Sequence, residues 1–286
     1  MVAQVGAARI RAWHPGIAGI REVFHGRFAD HAYPKHTHDV WTLFIVDEGA
    51  IRYDLECRAG GADTSMVSIL PPHVVHDGRA ADARGFAKRV LYLETSVIDE
   101  ALIGAAVDDP VLHAAGLRSR LAALHDSLIR ADDALEAETR LAFIAERIRS
   151  VLGAADGGGT GRPTDKLAEQ LRAHLDSRLF EPITIADAAA DLGASPTQLA
   201  RSFSATFGIA PHAYVLGRRL EAARARILDG EPLAEVAAEV GFFDQAHLSR
   251  HFRRFIATTP GRFVAPGGTD GHAEWGNGAD TPELNR

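Results

Sequence analysis

Ile185-Ala-Asp-Ala-Ala-Ala-Asp-Leu-Gly193 and Leu233-Ala-Glu-Val-Ala-Ala-Glu-Val-Gly241 are one pattern written twice, 48 residues apart, with every position identical or chemically similar. Past the glycines the offset becomes 49. Leu199-Ala-Arg-Ser-Phe203 then lies over Leu248-Ser-Arg-His-Phe252, so the second copy has one extra residue in its turn. Each copy has the parts of a helix-turn-helix. A short first helix carries Ala189 or Ala237 where a second helix must come close. Gly193 or Gly241 ends it, glycine being the residue that accepts positive φ without penalty. Ser195 with Pro196, or Asp244, caps the second helix. Leu199 and Phe203, or Leu248, Phe252 and Phe255, pin that helix to a core.

Helical geometry, at ~100° per residue, then says what faces outward. In the first copy these are Thr197, Gln198, Ala200, Arg201 and Ser204. In the second they are Ala246, Ser249, Arg250 and Arg253, with Gln245 and His247 at the helix start. Arginine reads guanine edges, Gln suits adenine, and Ser or Thr suit phosphates and bases. Arg201, Gln245 and Arg250 are the expected main contacts to double-stranded DNA. An all-helical interaction domain with solvated arginines is the bland alternative, and the registered repeat argues against it. A helix from Pro211 to Leu228, with Tyr214, Leu220, Ala223 and Ile227 on its buried side, joins the copies. Such a connector sets two recognition helices about one DNA turn apart, ~34 Å.

The segment from about Leu167 to Phe263 resembles the DNA-binding domain of the AraC/XylS family, above all in the run from Ala237 to Phe255 followed by Thr259-Pro-Gly-Arg-Phe263. The resemblance implies a unit that places both recognition helices in successive major grooves. Small residues, Thr197 and Ala200, stand where many relatives carry larger base-reading side chains, so the first helix is expected to read few bases.

Working outward, Gly153-Ala-Ala-Asp-Gly-Gly-Gly-Thr-Gly-Arg-Pro163 reads as a flexible linker, and the glycine-rich tail 266–286 as disordered. Before the linker, Trp41–Val46, Ala50–Leu55, Met66–Leu70 and Lys88–Leu93 read as short strands of a barrel or sandwich. From Ser96 to Leu152 the texture is helical, with Leu117, Leu121, Leu124 and Leu128 on one face of one helix and Leu141, Ile144, Ile148 and Val151 on one face of the next. This pair either covers the barrel or joins two subunits. The expected fold class is therefore α+β: a barrel over 1–95, helices over 96–152, a linker over 153–163, a double helix-turn-helix unit over 164–265, and a tail.

The N-terminal part resembles cupin barrels at His36-Thr-His38, with strand 41–46 and Glu48-Gly49, and at Pro71-Pro-His-Val-Val-His76. In metal cupins such histidines and a glutamate converge on one ion, which makes His36, His38 and His76 a candidate metal set that zinc, iron or nickel would accept. The glutamate is missing, since Thr42 and Leu43 occupy its expected positions. The cupin-like domains of AraC-type regulators usually act as effector pockets without metal. His36, His38, Tyr53, His73 and His76 are thus expected to line a pocket for a small molecule, with no cofactor assigned. Histidines satisfied by backbone in a rigid scaffold are the third possibility.

Bulk properties bound these readings. The 286 residues suit two domains. The net charge of −7 opposes nucleic-acid binding taken alone, but residues 164–264 carry 12 Lys+Arg against 12 Asp+Glu, nearly all the basic ones arginine. Phosphate contacts act within about a Debye length of ~8–10 Å, so placement outweighs the total. One cysteine, Cys57, excludes an internal disulfide. No apolar run reaches the ~18–20 residues of a membrane span, and the N-terminus lacks a signal-peptide stretch, so a cytoplasmic location is expected. The repeat and the family resemblance, within these bounds, imply a transcription regulator rather than an enzyme, working as a homodimer under a small-molecule effector, with RNA polymerase as a partner if it activates. A metal-dependent cupin oxygenase or isomerase, and a regulator without effector, are the alternatives.

Overall fold

The computed structural model describes residues 8–56, 58–129, 134–155 and 165–264. Eight strands come first: β1 (Arg9–Trp13), β2 (Ile20–Phe28), β3 (Ala32–His36), β4 (Trp41–Leu55), β5 (Arg58–Asp63), β6 (Val67–Leu70), β7 (His76–Ala80) and β8 (Phe86–Leu93). All pair antiparallel, in the order β1-β2-β8-β4-β7-β3, with β5 and β6 also on β4. For β4 the sequence predicts two strands, 41–46 and 50–55. It is one strand, bent by a register shift between Val46 and Glu48 and by Gly49 at φ +69°. Its first half pairs with β6 and β8 and its second half with β5 and β7, so this bend curls the sheet. Strands β1, β2, β3, β5 and β7 are not among the predicted ones, because charged and polar residues interrupt their apolar positions.

Trp41–Val46 is apolar on both faces because both faces are covered. Trp41, Leu43 and Ile45 pack outward against α2 (Leu117–Ile129) and α3 (Ala134–Ala155), together with Leu121, Leu124, Ile144 and Ile148. Phe44 and Val46 point into the concave side. One face of each of the two helices therefore covers the barrel. A short helix, α1 (Ile103–Asp108), precedes them. The expected linker begins too early: α3 runs through Gly153 to Ala155, because nothing in Gly-Ala-Ala breaks a helix already anchored by Leu152. The rest of the linker, the tail and Cys57 lie outside the described residues.

Seven helices follow: α4 (Lys166–Ser177), α5 (Ile185–Leu192), α6 (Pro196–Phe207), α7 (Pro211–Leu228), α8 (Leu233–Glu239), α9 (Gln245–Ile256) and α10 (Pro260–Val264). Helices α5–α6 and α8–α9 are the two repeats, and α7 joins them. Tyr214, Leu220, Ala223 and Ile227 of α7 are buried as expected. One feature departs from two separate lobes. Leu220, Ala223 and Ile227 share one continuous core with Phe24, Phe44 and Tyr92 of the barrel, along with Phe252 and Phe255 of α9. The second helix-turn-helix and the connector close the mouth of the barrel.

Candidate DNA interface and the cavity behind it

Both recognition helices begin as the sequence predicts. Gly193 caps α5 at φ +63°, the Ser195 hydroxyl accepts from Gln198 N at 3.2 Å, and Pro196 occupies the first turn of α6. In the second copy Gly241 sits at φ +79°, and the Asp244 carboxylate accepts from His247 N at 2.6 Å. Thr197, Gln198 and Arg201 are exposed on α6, with Ala200 and Ser204 half-buried. Gln245, Ala246, Arg250 and Arg253 are exposed on α9, with Ser249 half-buried. Arg201, Arg250 and Arg253 make no ion pair among the described residues.

His247 departs from the expected outward face. Its ring packs against Phe242 at 5.4 Å and His251 at 4.7 Å, which turns it back onto its own unit. A residue not singled out by sequence takes a place beside the helix start. Phe243 is 92% exposed next to its buried neighbour Phe242. The signal was the Phe-Phe pair in a turn, where only one ring can enter the core.

The relative placement of the two units is tied down through α7. Arg219 donates from Nη1 to the Gly241 carbonyl in the second turn, and from Nε and Nη2 to the carbonyls of Leu179 and Glu181 ahead of the first unit, each at 2.7 Å. One guanidinium thus fastens both modules to their connector.

Behind the recognition surface, the concave side of the barrel and α7 enclose a cavity with about 60 Å³ of space for the centres of water-sized molecules. That is room for about four to six waters at roughly 10–15 Å³ each. Its barrel wall includes Tyr33, His36, His38, Thr42, Tyr53, His76, Lys88 and Tyr92. Its other wall comes from the DNA-binding half: Gly217, Leu220, Glu221 and Arg224 of α7, and Phe255 and Ile256 of α9. The hydroxyls of Tyr33 and Thr42 are buried without a hydrogen-bond partner among the described residues. Four of the five pocket residues expected from sequence are here. His73 is the exception: it stands at φ +65° in the loop before β7, half-exposed, with Nε2 3.9 Å from Glu100. The positive φ turns its side chain away from the cavity that His76 enters.

His36 and His38 do not share a strand face, because β3 ends at His36. They converge nonetheless. His36 and His76 rings lie 4.4 Å apart, His36 and His38 4.9 Å, and His38 and His76 5.1 Å. Burial, and then repulsion by the neighbouring histidines, holds His36 and His38 well below the usual histidine range; burial lowers His76 to about 4. Burial, reinforced by Arg224, pulls Lys88 down to about 7. Burial and then Asp39 push Glu221 up to about 8.

The two halves are also joined by buried polar contacts that the sequence did not reveal. Arg224 pairs with Glu22 of β2, both nearly inaccessible. His38 Nδ1 donates to Glu221 Oε1 at 3.0 Å, and Arg218 lies 3.6 Å from Asp39. The available signal was a mid-helix Gly217 followed by Glu221 and Arg224, which fall on one face of α7. Gly217 lets that face come close: a Cβ there would stand 3.6 Å from the His36 Cβ.

A curled antiparallel barrel whose cavity is closed by a double helix-turn-helix unit defines a two-part DNA-binding regulator with a ligand-binding domain. Comparison with known proteins agrees. Residues 19–144 match the AraC-like ligand binding domain and residues 188–265 a helix-turn-helix domain. In both parts the chain is similar to AraC-type transcription regulators. It is 32% identical to the probable transcriptional regulator LumQ of Photobacterium leiognathi over 91 residues, 32% of this chain and 37% of that protein. It is 22% identical to the uncharacterized HTH-type transcriptional regulator YbfI of Bacillus subtilis (strain 168) over 76% of this chain and 81% of that one. The fold is that of ToxT from Vibrio cholerae O395, with a TM-score of 0.56 at 11% identity over 90% of this chain and 97% of the other. No helix among the described residues is long and apolar enough to cross a membrane.

Proposed function

We propose that this protein is a sequence-specific transcription regulator that reads two successive major grooves through α6 and α9 and is set by a small ligand in the cavity behind them. The observation that carries the reading is the shared wall. Any occupant touches α7, and α7 is the element to which Arg219 fastens both recognition units. Differential contact with two arrangements of that wall is what a ligand needs in order to shift a population. The unpartnered Tyr33 and Thr42 hydroxyls support a polar occupant, since buried polar atoms are otherwise satisfied.

Arg201, Gln245 and Arg250 are assigned to base edges, and Thr197, Gln198, Ala200, Ser204, Ala246, Ser249 and Arg253 to bases or backbone around them. Phe243 joins them as an apolar contact at the start of α9. Homodimerisation through α3, which leaves Leu135 and Phe143 exposed, and contact with RNA polymerase during activation complete the proposal. It assigns no catalytic step.

The test is a titration of DNA from beside the protein's own gene. Arg201→Ala with Arg250→Ala is expected to weaken binding by ~1–3 kcal/mol per base contact, with folding unchanged. A double variant that binds as tightly as the parent overturns the assignment of these helices.

A further inference from the structure

Three histidines facing one enclosed space raise a narrower question, namely what they are oriented to hold. One ring nitrogen from each of His36, His38 and His76 lies within 4.8 Å of the others. In each ring Nδ1 is already engaged with an oxygen. His36 Nδ1 donates to Pro34 O at 2.7 Å, His76 Nδ1 to Val74 O at 3.1 Å, and His38 Nδ1 to Glu221 Oε1 at 3.0 Å. An oxygen acceptor on Nδ1 places the proton there, which leaves Nε2 with a bare lone pair. No hydrogen bond occupies any of the three Nε2 atoms among the described residues.

This is the ligand set a borderline divalent ion requires: neutral imidazoles, each oriented by a carbonyl or carboxyl oxygen behind it. Tetrahedral zinc, with Zn–N near 2.0–2.1 Å, wants nitrogens about 3.3 Å apart. The ion requires the rings to turn inward about their side-chain bonds; the backbones of His36 and His76 are already paired with each other at the end of β3 and the start of β7. The cations lining the cavity do not forbid the ion: Arg224 is neutralised by Glu22, and Lys88 lies 4.3 Å over the Tyr33 ring.

We propose that His36, His38 and His76 bind one divalent transition-metal ion through Nε2, and that Glu221 of α7 positions His38 for it from the DNA-binding half. The glutamate that sequence found missing from the barrel thus has a counterpart on the connector, in the layer behind the ligands. Binding draws His38 toward the ion, and Glu221 passes that pull to the helix that joins the recognition units. The regulatory half of this inference rests on the proposed function; the site itself does not.

The experiment uses tag-free full-length protein stripped with a chelator and titrated with cobalt(II), then with zinc(II), in competition. One equivalent of cobalt is expected to give the intense visible absorption of a tetrahedral site, displaced by one equivalent of zinc. His36→Ala and His76→Ala should abolish it. Glu221→Gln should keep the spectrum but weaken metal affinity about 10–100-fold, the usual loss for a group behind a ligand. DNA affinity of the parent should change with zinc, and that of Glu221→Gln should not. Cobalt absorption that persists in both histidine variants, or none in a parent whose circular dichroism is native, overturns the site. An unchanged metal affinity in Glu221→Gln overturns its positioning role. A parent with a tetrahedral spectrum but no DNA binding with or without zinc leaves the site standing and instead overturns the proposed function.

Discussion

At the scale of single residues, the two turn glycines look equivalent in sequence and are not equivalent in space. Gly193 at φ +63° has nothing within 4 Å of where a Cβ would sit, so its substitution costs only backbone strain. At Gly241 a Cβ would meet the Phe180 carbonyl at 2.8 Å and the Arg219 guanidinium carbon at 2.9 Å. Gly193→Ala is therefore expected to cost about 1 kcal/mol, as alanine does in the left-handed region. Gly241→Ala should cost clearly more, and chemical denaturation of the two variants will rank them. Equal losses would mean that the second turn relaxes freely. The exposure of Arg201 and Arg250 was legible in advance for a simple reason: helical period alone places them opposite the buried Leu199 and Leu248. His247 and His73 were misplaced because their orientation depends on a neighbouring ring in one case and a positive φ in the other.

At the scale of elements, α7 does three things. It buries an apolar stripe, fastens both helix-turn-helix units through Arg219, and lids the barrel with Gly217, Glu221 and Arg224. Periodicity revealed the stripe but not the other two roles, since a polar residue on a helix reads the same whether it faces water or a distant strand. Arg219 makes the sharpest test. Arg219→Met keeps the stem and removes three hydrogen bonds to carbonyls, none of them on α6 or α9. Affinity for a two-groove site should fall about tenfold while a single-groove half-site is bound as before, because the loss lies in the spacing of the two helices. Measured by anisotropy on both DNAs, a parallel loss on the half-site would show that the residue supports folding rather than spacing.

At the scale of the whole molecule, the barrel and the DNA-binding unit share a core and a buried ion pair. Arg224→Leu strands the Glu22 carboxylate away from water, and breaking such a pair costs about 3–5 kcal/mol. Adding Glu22→Gln should restore part of the loss, as thermal unfolding of the single and double variants will show; no recovery would rule out an unpaired charge as the cause. Acid sensitivity is expected from the buried histidines, those of the cavity and a second pair under α2. His25 Nε2 and His125 Nδ1 meet at 3.1 Å in the core between the sheet and α2. Burial lowers His25 to about 3 and, reinforced by His25, holds His125 well below the usual range. Both are neutral when folded and accept protons only when unfolded near pH 6.5, so their contribution is intact above that pH and falls as pH drops toward 3. Each group costs about 1.4 kcal/mol per pH unit in that window. Replacing His25 by Phe and His125 by Leu should flatten the stability profile between pH 7 and 5; an unchanged slope would place the acid sensitivity elsewhere.

What the sequence determined by itself was local and periodic. The repeat, its glycine turns and caps, the outward arginines and the apolar faces of α2 and α3 all follow from 3.6-residue geometry acting on neighbours in the chain. Even the histidine cluster was visible as a motif, although not the route by which its members meet. Tertiary structure alone decided that β4 is one bent strand, that the two halves form one core, and that α7 supplies Glu221, Arg224 and Gly217 to a cavity formed mainly by residues more than a hundred positions earlier. Those contacts pair elements far apart in sequence, and no local period encodes which distant surface a polar helix face will meet.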